Sequence, residues 1–93
     1  MIELTDNNFK EEISKGDVVV DCWANWCGVC KMMKPKYEEF ANSVKNIKFC
    51  TLDVDKAPQI SSELGISNLP TIIIYKDGKE VTRGSFDVLN TLV

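Results

Sequence analysis

The residues best suited to chemistry in this sequence are two cysteines, Cys27 and Cys30, separated by Gly28 and Val29. Two cysteines at this spacing can close a short disulfide. If a helix begins here, its free N–H groups and partial positive charge favour the thiolate of Cys27, lowering its pKa and making it a nucleophile. Cys30, one turn further on, would be shielded and suited to resolving a mixed disulfide, while Gly28 would give the loop its backbone freedom. The spacing indicates thiol–disulfide exchange.

Three other uses of these cysteines are weaker. Half of a zinc site would need a second close cysteine pair or a histidine, and the chain has no histidine. Inert thiols would lie on an apolar face, whereas Cys27 follows Trp26 in a polar loop. Cys22, Cys27 and Cys30 have the C-x₄-C-x₂-C spacing of plant-type ferredoxins, with Cys50 as a possible fourth ligand. Because Cys22 lies in a strand-like apolar run and not in a wrapping loop, we interpret that spacing as coincidence and expect no metal.

Asp21 is the second residue with chemical potential, because it is a lone carboxylate in an apolar run. Burial would raise its pKa. It could accept the proton of Cys30 when a mixed disulfide resolves. It could equally be a structural carboxylate bonded to backbone or water, and the residues alone leave both interpretations open.

The composition excludes several other classes of function. The 93 residues, 44% hydrophobic and 27% charged, predict one globular domain over residues 1–93. The net charge of −3 argues against nucleic acid as a partner. No apolar run approaches the roughly 20 residues that span a membrane. The first residues lack the pattern of a signal peptide, so we expect a cytoplasmic protein without a disulfide framework. The absence of histidine also removes His-based nucleophile activation.

Alternating strands and helices must position this chemistry. Val18 to Ala24 is apolar on both faces apart from Asp21, which is typical of a strand inside a parallel sheet, and Ile47 to Val54 is a second such strand. The loop Asn25 to Gly28 then leads into a helix that contains Pro35, which should kink it.

Caps and turns indicate the remaining elements. They are a helix capped at Thr5, a helix from Pro58 to Gly65, strands Thr71 to Tyr75 and Glu80 to Arg83 joined by the hairpin signal Asp77-Gly78, and a last helix from Asp87 to Val93. The order is β-α-β-α-β-α-β-β-α, with the opening strand ahead of Thr5. This predicts an α/β fold with a central mixed sheet flanked by helices on both faces.

Several segments resemble those of a known family. The segment Val20 to Lys31 closely resembles the active-site segment of thioredoxins. Further segments match in the same order: Leu52-Asp53-Val54-Asp55, Ile66-Ser67-Asn68-Leu69-Pro70-Thr71 and Tyr75-Lys76-Asp77-Gly78-Lys79. The resemblance covers nearly the whole chain, and the combination is highly specific, which the cysteine pair alone would not be. It implies the thioredoxin fold.

The resemblance also implies roles for individual residues. Cys27 is similar to the attacking cysteine and Cys30 to the resolving one, the two forming the redox-active disulfide. Asp21 is similar to the buried proton acceptor of the family. Pro70 matches a cis-proline facing the disulfide, where the backbone of Leu69 would pair with an extended substrate. The substrate-binding residues implied are Trp26, Gly28, Val29, Leu69 and Pro70, and the residues that tune the site are Trp23, Lys31 and Thr51.

Three positions depart from the family pattern. Val29 replaces the usual proline and restores an N–H near the Cys27 sulfur, which we expect to stabilise the thiolate and weaken the reductant. Thr51 replaces a lysine found in many members, which should leave the pKa of Asp21 higher still. Cys22 replaces a phenylalanine. It falls on a strand next to that of Cys50, so the two thiols could be close enough to pair. We favour two buried thiols acting as small hydrophobes.

As a whole, the resemblance implies a protein-disulfide reductase and electron carrier that needs no cofactor. A thioredoxin reductase would regenerate it, and its partners would be disulfide-containing target proteins, with the protein itself a monomer. A disulfide oxidase or isomerase is the alternative enzyme, distinguished by its redox potential. A binding module with the same fold is the alternative outside enzymology, and it predicts that Cys27→Ser leaves function intact.

Overall fold

Within residues 1–92, which the computed structural model describes, five strands form one mixed sheet. They are β1 (Ile2–Leu4), β2 (Asp17–Trp23), β3 (Lys48–Asp53), β4 (Thr71–Lys76) and β5 (Lys79–Gly84). Their order across the sheet is β1-β3-β2-β4-β5. The first three are mutually parallel, and β4 and β5 add antiparallel pairings. The predicted α/β class and central mixed sheet are confirmed.

Helices cover both faces of this sheet. They are α1 (Phe9–Ile13), α2 (Gly28–Ser43), α3 (Pro58–Leu64) and a 3₁₀ helix (Phe86–Leu92). The buried side chains of α1 and α3 pack with Val18, Val20 and Cys22 on one face. Those of α2 and the 3₁₀ helix pack with Val19 and Ile72 on the other. Because strand side chains alternate between faces, β2 contributes to both cores and is buried between them.

Two helices differ from their predicted form. The Thr5 cap is present, with Thr5 and Asn8 exchanging side-chain-to-backbone hydrogen bonds of 2.7 and 3.1 Å, but regular α-helix starts only at Phe9. The last helix was expected to be α-helical over Asp87 to Val93. Its described part is a 3₁₀ helix, beginning where Val88 N–H bonds the Ser85 carbonyl three residues back, and Val93 lies outside the described residues.

The topology brings the ends of β2 and β3 and the start of β4 to the same edge of the sheet. β2 and β3 run parallel and finish at this edge, whereas the antiparallel β4 starts there, with Thr71 opposite Cys22. Residues between β2 and α2, and those just before β4, therefore meet above the same strand ends. No helix within residues 1–92 is long and apolar enough to cross a membrane.

Candidate active site

Cys27 and Cys30 form a disulfide at the start of α2, with Cα atoms 5.3 Å apart. Cys27 is the N-cap residue of the helix, and its Sγ accepts a hydrogen bond of 3.2 Å from the backbone N–H of Cys30. Cys27 is 9% exposed and Cys30 only 3%. The predicted placement at a helix N-terminus is therefore found, with Cys27 nearer the solvent of the two.

The residues between the cysteines are placed as follows. In the disulfide form the donor to Cys27 Sγ is the Cys30 N–H, and within residues 1–92 the N–H of Val29 makes no such bond. The predicted role of the Val29 N–H concerns the thiolate and stays a prediction. Gly28 is the first residue of α2 and has no left-handed backbone conformation. A Cβ built there would meet no other atom of the described chain within 4 Å. The loop thus does not require a glycine.

Three exposed apolar side chains, Trp26, Val29 and Met32, lie close to the two cysteines in the chain, and we call them the apolar rim. Trp26 is 71% exposed, and the side chains of Val29 and Met32 are also exposed. The Trp26 indole Nε1 donates to Asp55 Oδ2 at 2.9 Å, which fixes the ring beside the disulfide. Sequence reasoning missed Met32 and Asp55, although Asp55 closes the segment Leu52 to Asp55 that matched the family.

The Leu69–Pro70 peptide bond is cis, as the resemblance implied. Leu69 packs against the cluster that contains both cysteines. Beyond Pro70 lies a groove of about 270 Å³, lined by Gly65, Ser67, Asn68, Pro70, Thr71, Arg83, Gly84 and Ser85. A Cβ on Gly84 would approach Val88 Cγ1 to 2.9 Å, so any other residue at this wall of the groove would require the Val88 side chain to shift.

Asp21 lies in the middle of the sheet, opposite Thr51 on β3 and Ile72 on β4. It is 6% exposed, and its Oδ1 has no hydrogen-bond partner among residues 1–92. Burial raises the pKa of Asp21 to about 6, and the positive charge of Lys34 opposes that rise. A carboxyl group with this pKa changes protonation state close to neutral pH.

A small cavity connects Asp21 with the disulfide. Its volume is about 10 Å³, and it is lined by Asp21, Trp23, Cys30, Lys34 and Thr51. That volume is on the order of what one water molecule occupies. The structure thus brings three predicted residues from two strands, Asp21 and Trp23 of β2 and Thr51 of β3, to one point with Cys30. It adds Lys34, which sequence reasoning missed.

Trp23 and Lys31 are placed differently from each other. Trp23 is half-buried, packs against the cysteine cluster and lies under Lys34 Nζ, which is 5.1 Å from its ring centroid. Lys31 is exposed on α2; its backbone N–H donates to the Cys27 carbonyl at 3.2 Å, and its ammonium makes no hydrogen bond or ion pair with any residue from 1 to 92. The geometry therefore gives Trp23 a place in the site and gives Lys31 none beyond its charge.

Cys22 and Cys50 are free and buried in the core on the other face of the sheet. Burial raises the pKa of Cys22 to about 12 and that of Cys50 to about 11. Cys50 is in register with Val20, two residues before Cys22. With strands about 4.8 Å apart and a rise of about 3.3 Å per residue, their Cα atoms lie about 8 Å apart. That exceeds the roughly 7 Å limit for a disulfide without backbone movement.

Comparisons with known proteins agree on one family. The thioredoxin family model matches residues 1–88. The chain is 41% identical over 80 residues to thioredoxin of Chlamydia muridarum, covering 86% of this chain and 78% of that protein. It is 43% identical over 79 residues to thioredoxin-2 of Saccharomyces cerevisiae, covering 83% and 76%. Among solved structures, the short form of spinach chloroplast thioredoxin F superposes with a TM-score of 0.89 at 31% identity, covering 97% of this chain and 87% of that chain.

Proposed function

This chain belongs to the thioredoxin family and has its fold and its disulfide-bonded cysteine pair, and we propose that it is a protein-disulfide reductase and electron carrier. Membership supports thiol–disulfide oxidoreductase activity. The observation that carries the proposal is the Cys27–Cys30 disulfide at the N-terminus of α2, with Cys27 Sγ accepting the Cys30 N–H. A sulfur in that position is stabilised as a thiolate once the disulfide is reduced.

The first step is attack by Cys27. In the dithiol form, the Cys27 thiolate displaces one sulfur of a target disulfide, forming a mixed disulfide and releasing one target thiolate. The Cys30 N–H and the helix N-terminus favour the thiolate over the thiol, which supports Cys27 as the attacking residue. The more exposed position of Cys27 supports the same assignment.

The second step needs a base, and Asp21 is placed to be one. The Cys30 thiol gives its proton to the Asp21 carboxylate across their shared cavity, which has room for about one water. The Cys30 thiolate then attacks Cys27 Sγ, the disulfide between them closes, and the second target thiolate leaves. Two electrons pass from the dithiol to the target. A pKa of about 6 leaves Asp21 ionised at neutral pH before the step.

Targets would dock on the apolar rim and the groove beyond it. Trp26 and Val29 offer exposed apolar surface on one side of the disulfide. On the other, the backbone of Leu69 before cis-Pro70 would pair with an extended target segment, and Gly28 adds no side chain to obstruct it. Disulfide-containing proteins that can present an extended strand are the partners proposed.

The cellular setting is part of the proposal. We infer that a thioredoxin reductase restores the dithiol, and that the protein acts in the cytoplasm as a monomer built of one domain over residues 1–93. The thiol chemistry supplies all electrons and protons in the two steps, so no organic cofactor enters the proposal.

Reduction of insulin tests the proposal. With dithiothreitol as electron source, the protein should accelerate precipitation of the insulin B chain, and Cys27→Ser should abolish that acceleration. Candidate thioredoxin reductases with NADPH should then replace dithiothreitol. Absence of catalysis with both electron sources would overturn the proposed activity.

A further inference from the structure

We propose that Lys34 is a positioning residue for the second step: its ammonium keeps the buried Asp21 carboxylate charged and able to take the proton of Cys30. This inference rests on the proposed reductase function and deepens it. Thr51 is uncharged and cannot provide a positive charge beside Asp21, and the inference assigns that charge to Lys34.

The geometry of α2 places Lys34 on the cavity. Lys34 follows Cys30 by four residues, so the two side chains lie on the same face of the helix, one turn apart. Both line the cavity that also receives Asp21 and Thr51. The cation therefore reaches the carboxylate from the helix that carries the reacting thiol, and not from the neighbouring strand.

Trp23 holds the Lys34 ammonium in place. Lys34 Nζ lies 5.1 Å from the centroid of the Trp23 ring, within range of a cation–π interaction. Trp23 is two residues beyond Asp21 on β2, so both side chains point to the same face of the sheet. The Trp23 ring that contacts the Lys34 ammonium therefore lies on the same face of β2 as the Asp21 carboxylate.

The other groups facing Asp21 supply no positive charge. From α2, Tyr37 donates its hydroxyl to the carbonyls of Val19 and Cys50 at 3.2 and 2.7 Å, and burial raises its pKa far above the neutral range. Cys22, next to Asp21 in the chain but on the other face of the sheet, has a pKa of about 12 and stays neutral. Opposite Asp21, Thr51 on β3 and Ile72 on β4 are uncharged.

The consequence concerns the fraction of Asp21 that can act as a base. Burial raises the pKa of Asp21 and Lys34 lowers it, leaving about 6. At pH 7 about nine-tenths of the carboxyl groups are then ionised. If the pKa rose by one unit, the ionised fraction would fall to about half. Loss of Lys34 should therefore move the acidic limb of the rate profile to higher pH.

The experiment compares three variants. Lys34→Met removes the ammonium and keeps the apolar stem, whereas Lys34→Arg keeps the charge. Lys36→Met removes an equal charge from the same helix, on the side that faces the groove beside Phe86. For each, carboxyl ¹³C NMR gives the pKa of Asp21, and stopped-flow reaction with a chromogenic aryl disulfide separates attack by Cys27 from resolution by Cys30.

Lys34→Met should raise the pKa of Asp21 by about half to one unit and shift the acidic limb of the resolution step equally. Lys34→Arg and Lys36→Met should leave both values near those of the unmodified protein. In the unmodified protein, raising the salt concentration from about 0.01 to about 1 M should raise the same pKa, because the exposed ammonium is screened.

Two outcomes overturn the inference: an unmoved Asp21 pKa in Lys34→Met and in high salt, or an equal shift in Lys36→Met. In either case, insulin reduction by the unmodified protein would still stand as support for the reductase function. Failure of the unmodified protein to reduce insulin would instead overturn that function itself. The salt titration keeps the inference testable should Lys34→Met fold poorly.

Discussion

The two pairs of cysteines in this chain differ in their bonding: one pair forms a disulfide and the other is free. Cys27 and Cys30 form a disulfide at the start of α2, where the sulfur of Cys27 accepts a backbone N–H. Cys22 and Cys50 remain free in the core, where burial holds their pKa values at about 12 and about 11. All four are less than one-tenth exposed. Burial alone therefore does not decide which cysteines pair, and we expect a backbone donor at the sulfur and a partner within reach to decide which of them react.

Substitution of cysteines from each pair tests this difference most directly and has the largest expected effect on activity. Cys27→Ser should lower insulin reduction by at least about a thousandfold, because serine cannot attack or form a disulfide under these conditions. Cys22→Ala and Cys50→Ala should keep activity within about twofold per folded molecule, since neither thiol takes part. Loss of catalysis in either core variant at full folding, checked by circular dichroism, would contradict the division into two pairs.

Thiol reactivity tests the same contrast without mutation. In the reduced native protein, only two thiols should react quickly with an aryl disulfide reagent at pH 8, and four should react after unfolding in guanidinium. A pKa of about 11–12 leaves on the order of one thiolate in a thousand or fewer at that pH, and burial slows access further. Rapid reaction of a third thiol in folded protein would place Cys22 or Cys50 among the reactive cysteines.

Asp21 shows the cost of placing a carboxylate in the sheet. Its folded pKa of about 6 exceeds the ordinary value of 3.8, so the folded protein binds more protons than the unfolded chain between about pH 4 and 6. Stability therefore falls as the pH rises through that window. Asp21→Asn should raise the free energy of unfolding by about 2–3 kcal/mol at pH 7 and by almost nothing below pH 4.

The same variant should slow resolution by Cys30 while leaving attack by Cys27 nearly unchanged. Urea denaturation at several pH values measures the first effect, and stopped-flow absorbance the second. Asp21→Glu, which keeps the charge but adds a methylene, is the matched control. A gain in stability that does not depend on pH would show that the carboxylate is not the destabilising group.

Sequence sufficed for the features that depend on neighbours along the chain. The apolar run around Asp21 predicted a buried strand because its side chains alternate between two cores. The two-residue spacing of Cys27 and Cys30, following that strand, placed the disulfide at a helix start. The hairpin at Asp77-Gly78 is also found, with both residues in the left-handed backbone region that such turns require.

Sequence did not suffice where the site joins separate elements. Lys34 has the spacing of a solvated helix charge, and only the packing of α2 over β2 brings it to Asp21. Likewise, the hydrogen bond from Trp26 to Asp55 connects loops 29 positions apart. The prediction for Asp21 was based on Thr51, its neighbour on β3, where a lysine is missing. It did not include Lys34 of α2, which packs over the same face of the sheet. Sequence periodicity predicts which face of a helix a residue lies on, but the contacts between elements determine which residue it meets.

The smallest expected effect is a change in redox potential on substitution of Val29, one of the two residues between Cys27 and Cys30. Val29 is in the first turn of α2, where proline is tolerated because the helix does not need its N–H. In the disulfide, Cys27 Sγ already receives the Cys30 N–H. We expect the Val29 N–H to reach the sulfur once the disulfide opens, which would stabilise the reduced form and raise the redox potential.

Val29→Pro removes that donor and should make the potential more negative by about 20 mV, which corresponds to one hydrogen bond of about 1 kcal/mol. Val29→Ala trims the exposed side chain but keeps the N–H, so its potential should stay at that of the unmodified protein. Equilibration with glutathione measures both. A potential that stays constant or rises in Val29→Pro would mean that Cys30 alone supplies the donor in both redox states. An equal fall in Val29→Ala would assign the effect to the apolar rim, and the contrast between the cysteine pairs would then depend on side-chain packing as well as on backbone donors.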